Sequence, residues 1–323
     1  MTVLVSGNTP INVNTPEIGA LAWGDTLTAN SSFISLRFEQ WIDEFTGSFQ
    51  YDVFGELAGG VITGWKQTYN GQLVFEVTGA EVSVGQFLIW VANDDNATAV
   101  QTIFAGADSM TGSQFLDILS GYAGADSLFG MGGDDTLEGG AGEDYVRGGD
   151  GADSLAGGAD FDDLHGNLGN DVVDGGLGTD WVVGGQGNDL LRGGDDSSYD
   201  VVYGNLGNDT CYGGDGGDWV RGGQGDDSLS AGGGADWIWG DRGNDTIEGG
   251  AGADIFFVFG EAGTDRVLDF NAAEGDVVRV EAGYTYSAAQ VGADVVVSVG
   301  GGAQVVLAGR TLAALGDGWL VGG

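Results

Sequence analysis

One cysteine (Cys211), one histidine (His165), one lysine (Lys66) and two prolines are all that 323 residues supply of those types. A lone cysteine cannot close an internal disulfide, so something else must staple the fold. A lone histidine excludes a His-Glu-x-x-His zinc site and any centre built on two imidazoles. No Gly-x-Ser-x-Gly nucleophile elbow occurs. No apolar run reaches membrane-spanning length, so no transmembrane segment is expected. The opening Met1-Thr2-Val3-Leu4-Val5-Ser6-Gly7 has no basic stretch, and the first cation is Arg37, so no cleavable signal peptide is expected. Cations are scarce throughout: nine Lys and Arg face 49 Asp and Glu, for a formal charge of −40. That balance argues against nucleic acid, whose phosphates demand clustered cations. It argues equally against anionic membrane surfaces.

What the chain has instead is glycine, 66 residues of it, and a period. From Ile103 to Phe257 a nine-residue unit recurs seventeen times, the copy that starts at Gly193 being two residues longer. The sixth position is acidic in every copy: Asp108, Asp117, Asp126, Asp135, Asp144, Asp153, Asp162, Asp171, Asp180, Asp189, Asp200, Asp209, Asp218, Asp227, Asp236, Asp245 and Asp254. Asp200 keeps its place if the two extra residues lie in the turn. The eighth position is apolar throughout, from Met110 through Cys211 to Phe256. Glycines at positions one, two and four permit positive φ and close carbonyl approach, so the first six residues are expected to form a tight turn. The last three are expected to form a short strand with its middle side chain inward. One repeat cannot bury a single apolar residue, so repeats must stack, two per coil, into two parallel sheets. Stacked turns then gather carbonyl and carboxylate oxygens, without imidazole or thiolate, which favours calcium. A glycine-rich linker with Asp in Asx turns is the competing reading; the unbroken apolar column opposes it.

The pattern, clearest in Gly139–Arg147 and Gly249–Phe257, resembles the RTX nonapeptide family, Gly-Gly-x-Gly-x-Asp-x-apolar-x, whose turns calcium fills. The resemblance implies an all-β fold, a right-handed parallel β-roll. It implies calcium ligation along the aspartates from Asp126 to Asp254. The glycines sharing those turns are Gly130, Gly132, Gly139, Gly140, Gly142, Gly148, Gly149, Gly151, Gly175, Gly176, Gly178, Gly184, Gly185 and Gly187. After the insertion they are Gly213, Gly214, Gly216, Gly222, Gly223, Gly225, Gly249, Gly250 and Gly252. The first two copies depart from the pattern, with Phe115 at position four, and Asp160 and Asp196 replace glycine there. Counting gaps between coils allows up to about fifteen ions, roughly +30 charges against −40. Without calcium the stacked carboxylates repel, so the segment is expected to be disordered until calcium is supplied. The resemblance further implies export from a Gram-negative cell by type I secretion machinery and folding outside. The segments Gly263–Phe270 and Gly318–Gly323 look similar to the tails that carry such export signals.

Residues 1–102 read as a β-rich domain, with antiparallel strands in Gly47–Phe54, Gly60–Thr68 and Gln72–Val82 and a turn at Asn70-Gly71. Ser83–Ala92 reads as a short helix or another strand. Residues 258–323 read as a cap, with strands near Val277–Tyr286, Val295–Val299 and Ala303–Leu307. Sorting positions seven and nine by parity puts Phe129, Tyr145, Trp181, Tyr203, Trp219, Trp237, Trp239 and Phe257 on one sheet, with Ser, Thr and acids dominating the other. Such a face either packs under a flanking domain or meets a partner. Trp181, Tyr203, Trp219, Trp237 and Trp239 are its candidate contact residues. The reading that results is a non-enzymatic, secreted, calcium-binding structural or interaction protein. It would assemble with itself, or with a cell-surface glycan or protein, as a surface-layer, matrix or adhesion component. A monomeric carbohydrate-binding or adhesive module is the first alternative. A small hydrolase using acids of residues 1–102, such as Asp43 and Glu56, is the second.

Overall fold

A computed structural model describes residues 106–322 except Ser113, together with the backbone of five strands between Asp25 and Ser83. The chain divides into two compact units, Met1–Gly149 and Asp150–Gly323.

In the first unit, Asp25–Asn30, Phe33–Phe38, Trp41–Tyr51, Leu57–Tyr69 and Gln72–Ser83 pair antiparallel in chain order. The last two cover the strands expected at Gly60–Thr68 and Gln72–Val82, Trp41–Tyr51 overlaps the one expected at Gly47–Phe54, whose residues 52–54 lie outside the described residues, and the hairpin closes between Tyr69 and Gln72. The first two strands escaped the sequence reading. A strand reaches Ser83, and residues 84–92, read as helix or strand, lie outside the described residues. Gln72–Ser83 pairs antiparallel with Ser109–Thr111, and that short strand pairs parallel with Ser127–Gly132. Here the sheet switches from hairpins to repeats. Ile118–Ala123 pairs parallel with Thr136–Ala141, opening a second ladder.

The second unit is a parallel β-solenoid closed by its own C-terminal segment. One ladder joins the repeat strands Asp163–Leu168, Trp181–Gln186, Val201–Leu206, Trp219–Gln224, Trp237–Arg242 and Ile255–Val258. The other joins Ser154–Ala159, Val172–Leu177, Leu190–Gly194, Thr210–Asp215, Ser228–Gly234 and Thr246–Gly252. Alternate copies therefore do fall on alternate sheets. The partition within each copy corrects the expectation of a six-residue turn and a three-residue strand. Trp219–Gln224 is a six-residue strand spanning two copies, and the turn is only 225–227. The reason is pleat alternation: Val220 and Gly222 point inward while Trp219, Arg221 and Gly223 do not, so the strand runs on through the glycines.

The core is a double file of side chains. Leu164, Val182, Val202, Val220 and Ile238 fill one side, with Leu155, Val173, Leu191, Cys211, Leu229 and Ile247 on the other. Each is essentially buried, and each is useless without the coil above and below. The ladders continue beyond Phe257. Thr264–Val267 and Gln304–Leu307 extend one, and Val277–Val280 and Leu320–Gly322 extend the other. The antiparallel strands Asp294–Val299 and Tyr286–Val291 end the first of these. A ring cluster, Phe256–Phe270 at 5.7 Å and Phe270–Trp319 at 6.2 Å, covers the end of the file. A single helical turn, Leu312–Leu315, lies in this closing segment.

Candidate metal centre

Each sixth-position aspartate is the last residue of its turn, and the side chain points inward. All fifteen from Asp126 to Asp254 are at most 3% exposed. One carboxylate oxygen has a fixed task. Oδ1 of Asp218 accepts the backbone N–H of Asp200 at 2.9 Å, and Oδ1 of Asp227 accepts that of Asp209 at 2.8 Å. The same bond joins Asp108 to Asp126, Asp126 to Asp144, Asp153 to Asp171, Asp162 to Asp180, and Asp171 to Asp189. The aspartate is thus a rung of the coil-to-coil ladder.

The other oxygen has no such task. Oδ2 of Asp126, Asp171, Asp180, Asp189, Asp200, Asp209, Asp218 and Asp227 is buried and accepts no hydrogen bond. A buried acceptor left unsatisfied costs about 1–3 kcal/mol, and more when charged. Burial accordingly raises Asp171, Asp180 and Asp227 to about 7, opposed by the N–H bond from the preceding coil. The same two causes take Asp126, Asp189, Asp200, Asp209 and Asp218 to about 6. Eight buried acids in two files, each with an idle oxygen, call for a cation.

Glycine at position one, present in all copies but those opening at Ile103 and Ala231, lets the oxygens approach. A Cβ at Gly204 would lie 2.2 Å from Asp209 Oδ2 and 2.5 Å from the carbonyl oxygen of Gly222, one coil on. At Gly121 the same point is 2.3 Å from Asp126 Oδ2 and 2.5 Å from Gly139 O. A carboxylate and a neighbouring coil's carbonyl therefore close in on the glycine Cα, where a side chain would collide with both. This corrects the assignment of positive φ to position one. Gly214, Gly223 and Gly232 at position two and Gly207, Gly216 and Gly225 at position four carry positive φ. The glycines at position one do not. Among the described residues no three His, Cys, Asp or Glu side chains cluster, so carbonyl oxygens and water must complete any coordination shell. Calcium accepts such a mixed, all-oxygen shell, and the donor set fits it.

The insertion leaves the file intact. Asp200 is buried and Oδ1 accepts the N–H of Asp180 at 2.8 Å. The extra residues widen the turn, where Asp196 accepts N–H groups from Ser198 and Gly178. Two members escaped the sequence reading. Asp265 and Asp276 are buried and accept the N–H groups of Asp245 and Asp254 at 3.3 and 3.1 Å. They follow Asp254 at eleven-residue steps, outside the period, yet Val267 and Val278 stand two residues after them as in every copy.

On the outer side of one sheet, Trp219 and Trp237 stack at 5.3 Å and Trp239 and Phe257 at 4.2 Å. Trp181 is 47% and Trp237 37% exposed.

Residues 103–256 match, in overlapping segments, the family model of the RTX calcium-binding nonapeptide repeat. An extracellular lipase from Serratia marcescens is similar in structure at 20% identity, over 65% of this chain, with a TM-score of 0.31. The chain spans 39% of that enzyme's length. No curated protein matches the chain.

Proposed function

We propose that this chain, whose residues 103–256 are RTX calcium-binding nonapeptide repeats, is a secreted interaction protein that calcium folds outside the cell. The observation that carries the reading is the file of buried Oδ2 atoms, from Asp126 and Asp171 to Asp218 and Asp227, without a hydrogen-bond partner. Asp126 through Asp254 would supply one carboxylate oxygen per turn, and the glycine carbonyls the rest. Up to about fifteen ions would then sit between successive coils. In calcium-poor cytosol the carboxylate files repel and the core has too little apolar area to hold them together. The chain would pass a type I exporter unfolded and gain its structure on the far side. Residues 1–102 and the aromatic face would make the extracellular contacts, while residues 258–323 would close the solenoid and carry the export signal. Assembly at a bacterial surface or in a matrix is the role this arrangement suits.

We assign it no catalytic step. His165 pairs with Asp163 at 2.9 Å, and the Cys211 thiol is buried, with its pKa pushed up by desolvation. Among the described residues no helix is long and apolar enough to cross a membrane. The deciding measurement is far-ultraviolet circular dichroism of purified full-length protein through a calcium titration and back with EDTA. A strand signal that appears with calcium and disappears with chelator is expected. A signal indifferent to both would overturn the proposal.

A further inference from the structure

The outer side of the aromatic sheet carries a groove of about 380 Å³ lined by Tyr203, Asn205, Arg221, Gln224, Asp241 and Phe259 among others. It crosses three neighbouring strands, Val201–Leu206, Trp219–Gln224 and Trp237–Arg242. We propose that this groove is a binding subsite for an uncharged sugar, one or two rings of a neutral polysaccharide. The inference rests on the calcium-folded reading above and names the partner of its aromatic face.

Charge comes first. The chain carries only nine basic residues, and two of them, Arg221 and Arg242, stand here. Neither is available to an anion. Arg221 donates through both Nε and Nη2 to the Asp241 carboxylate, and Arg242 pairs with Glu261 at 2.9 Å. The groove is therefore polar and electrically balanced on a chain of −40. A polyanion would meet neutralised cations inside a repelling field, and a second copy would bring the same acidic field with it.

Rigidity comes next. The Arg221 guanidinium also lies 5.9 Å from the centre of the Tyr203 ring, so ring, guanidinium and carboxylate stand together with N–H donors and carboxylate lone pairs to spare. Asn205 and Asp241 occupy position two, where most copies place glycine, at φ of +79° and +70°. Asn and Asp tolerate this region better than other residues, but glycine carries no such cost. Tyr122, Met131 and Asn167 share this conformation at position two, and of the five Asn205 and Asp241 line the groove. Beside it, Trp239 is the register partner of Arg221 and stacks on Phe257 with rings 9° from parallel. Flat ring surface next to fixed donors and acceptors matches a pyranose, which offers C–H faces and hydroxyl edges together. The volume lies at the lower end of the range for small-ligand sites.

The test is tryptophan fluorescence and calorimetry of the full-length, calcium-loaded protein. The probes are cellohexaose, maltohexaose and chitohexaose, with polygalacturonate as the anionic control. At least one neutral oligosaccharide is expected to change the emission and saturate, while polygalacturonate does not compete. Arg221→Met and, without touching the Arg221–Asp241 pair, Gln224→Ala are each expected to weaken binding by about tenfold, and Tyr212→Ala on the opposite sheet to leave it unchanged. Circular dichroism checks that each variant still folds with calcium. A folded protein that binds none of the neutral probes, or only polygalacturonate, overturns the proposal. So does a concentration-dependent dimer in sedimentation that shields Trp239. Loss of calcium-induced folding in the unaltered chain would strike the calcium reading itself, and this inference with it.

Discussion

The two sheets of the second unit share a backbone, a core and an aspartate file, yet their outer sides have little in common. One presents Trp181, Tyr203, Trp219, Trp237, Trp239 and Phe257. The other presents Asp174, Arg192, Thr210, Ser228, Ser230 and Glu248 at the equivalent positions, with Tyr212 its one ring. Inward positions are held by the demands of stacking and are interchangeable between sheets. Outward positions seven and nine are free of those demands, so the difference between the faces is where this chain records what it touches. Changes to the inward columns should therefore strike both faces alike, and changes to the outward ones should strike one.

The largest blow is removal of calcium. Cys211 is wholly buried in the file behind the polar face. Its thiol should ignore a soluble disulfide reagent in calcium and react within seconds in EDTA, while Trp emission from the opposite face shifts red in step. Uncoupled changes would mean that the faces fold separately. Acid comes second. In EDTA the folded-state pKa values of about 6 to 7 lie above the unfolded value near 3.9. A folded state that holds protons more tightly is favoured at low pH, and that contribution is lost as pH rises through about 6 to 7. Metal-free protein should thus be more ordered at pH 4 than at pH 8 by circular dichroism. With calcium present the carboxylates must be ionised, so calcium affinity should instead fall as pH drops through the same window.

Third, Gly204→Ala and Gly213→Ala press a methyl against Asp209 and Asp218 on opposite turn edges. Both should raise the calcium midpoint on the order of tenfold, about 1.4 kcal/mol, in parallel titrations; effects confined to one edge would show that only that edge takes metal. The smallest effect separates the faces. Trp237→Ala removes a ring stacked on Trp219 and should cost about 1 kcal/mol in thermal unfolding beyond the area it exposes. Glu248→Ala across the molecule should stay within about 0.5 kcal/mol.

Most of this architecture was legible before any coordinates. A fixed nine-residue step places Asp and an apolar residue at constant phase, and parity alone separated the aromatic face from the polar one, because neighbouring copies must alternate between sheets. The strand length was misread for a local reason. The glycines lie within the strand, Gly222 buried and Gly223 at positive φ, and do not by themselves make the turn. Asp265 and Asp276 were hidden by their eleven-residue steps, whereas the alternation of Ile34, Leu36 and Phe38 with Ser35 and Arg37 marks a strand that the sequence does offer.

The sequence by itself determined the period, the two inward columns and the choice of sheet for every ring, since each follows from spacing along one chain. Only the tertiary structure decided how closely the acids approach position one, where the acid file ends, and that Tyr203, Arg221 and Asp241 share a groove. Those depend on contacts between neighbouring coils some eighteen to twenty residues apart in sequence, as between Arg221 and Asp241. No local spacing records whether the space there is filled by a side chain or left open.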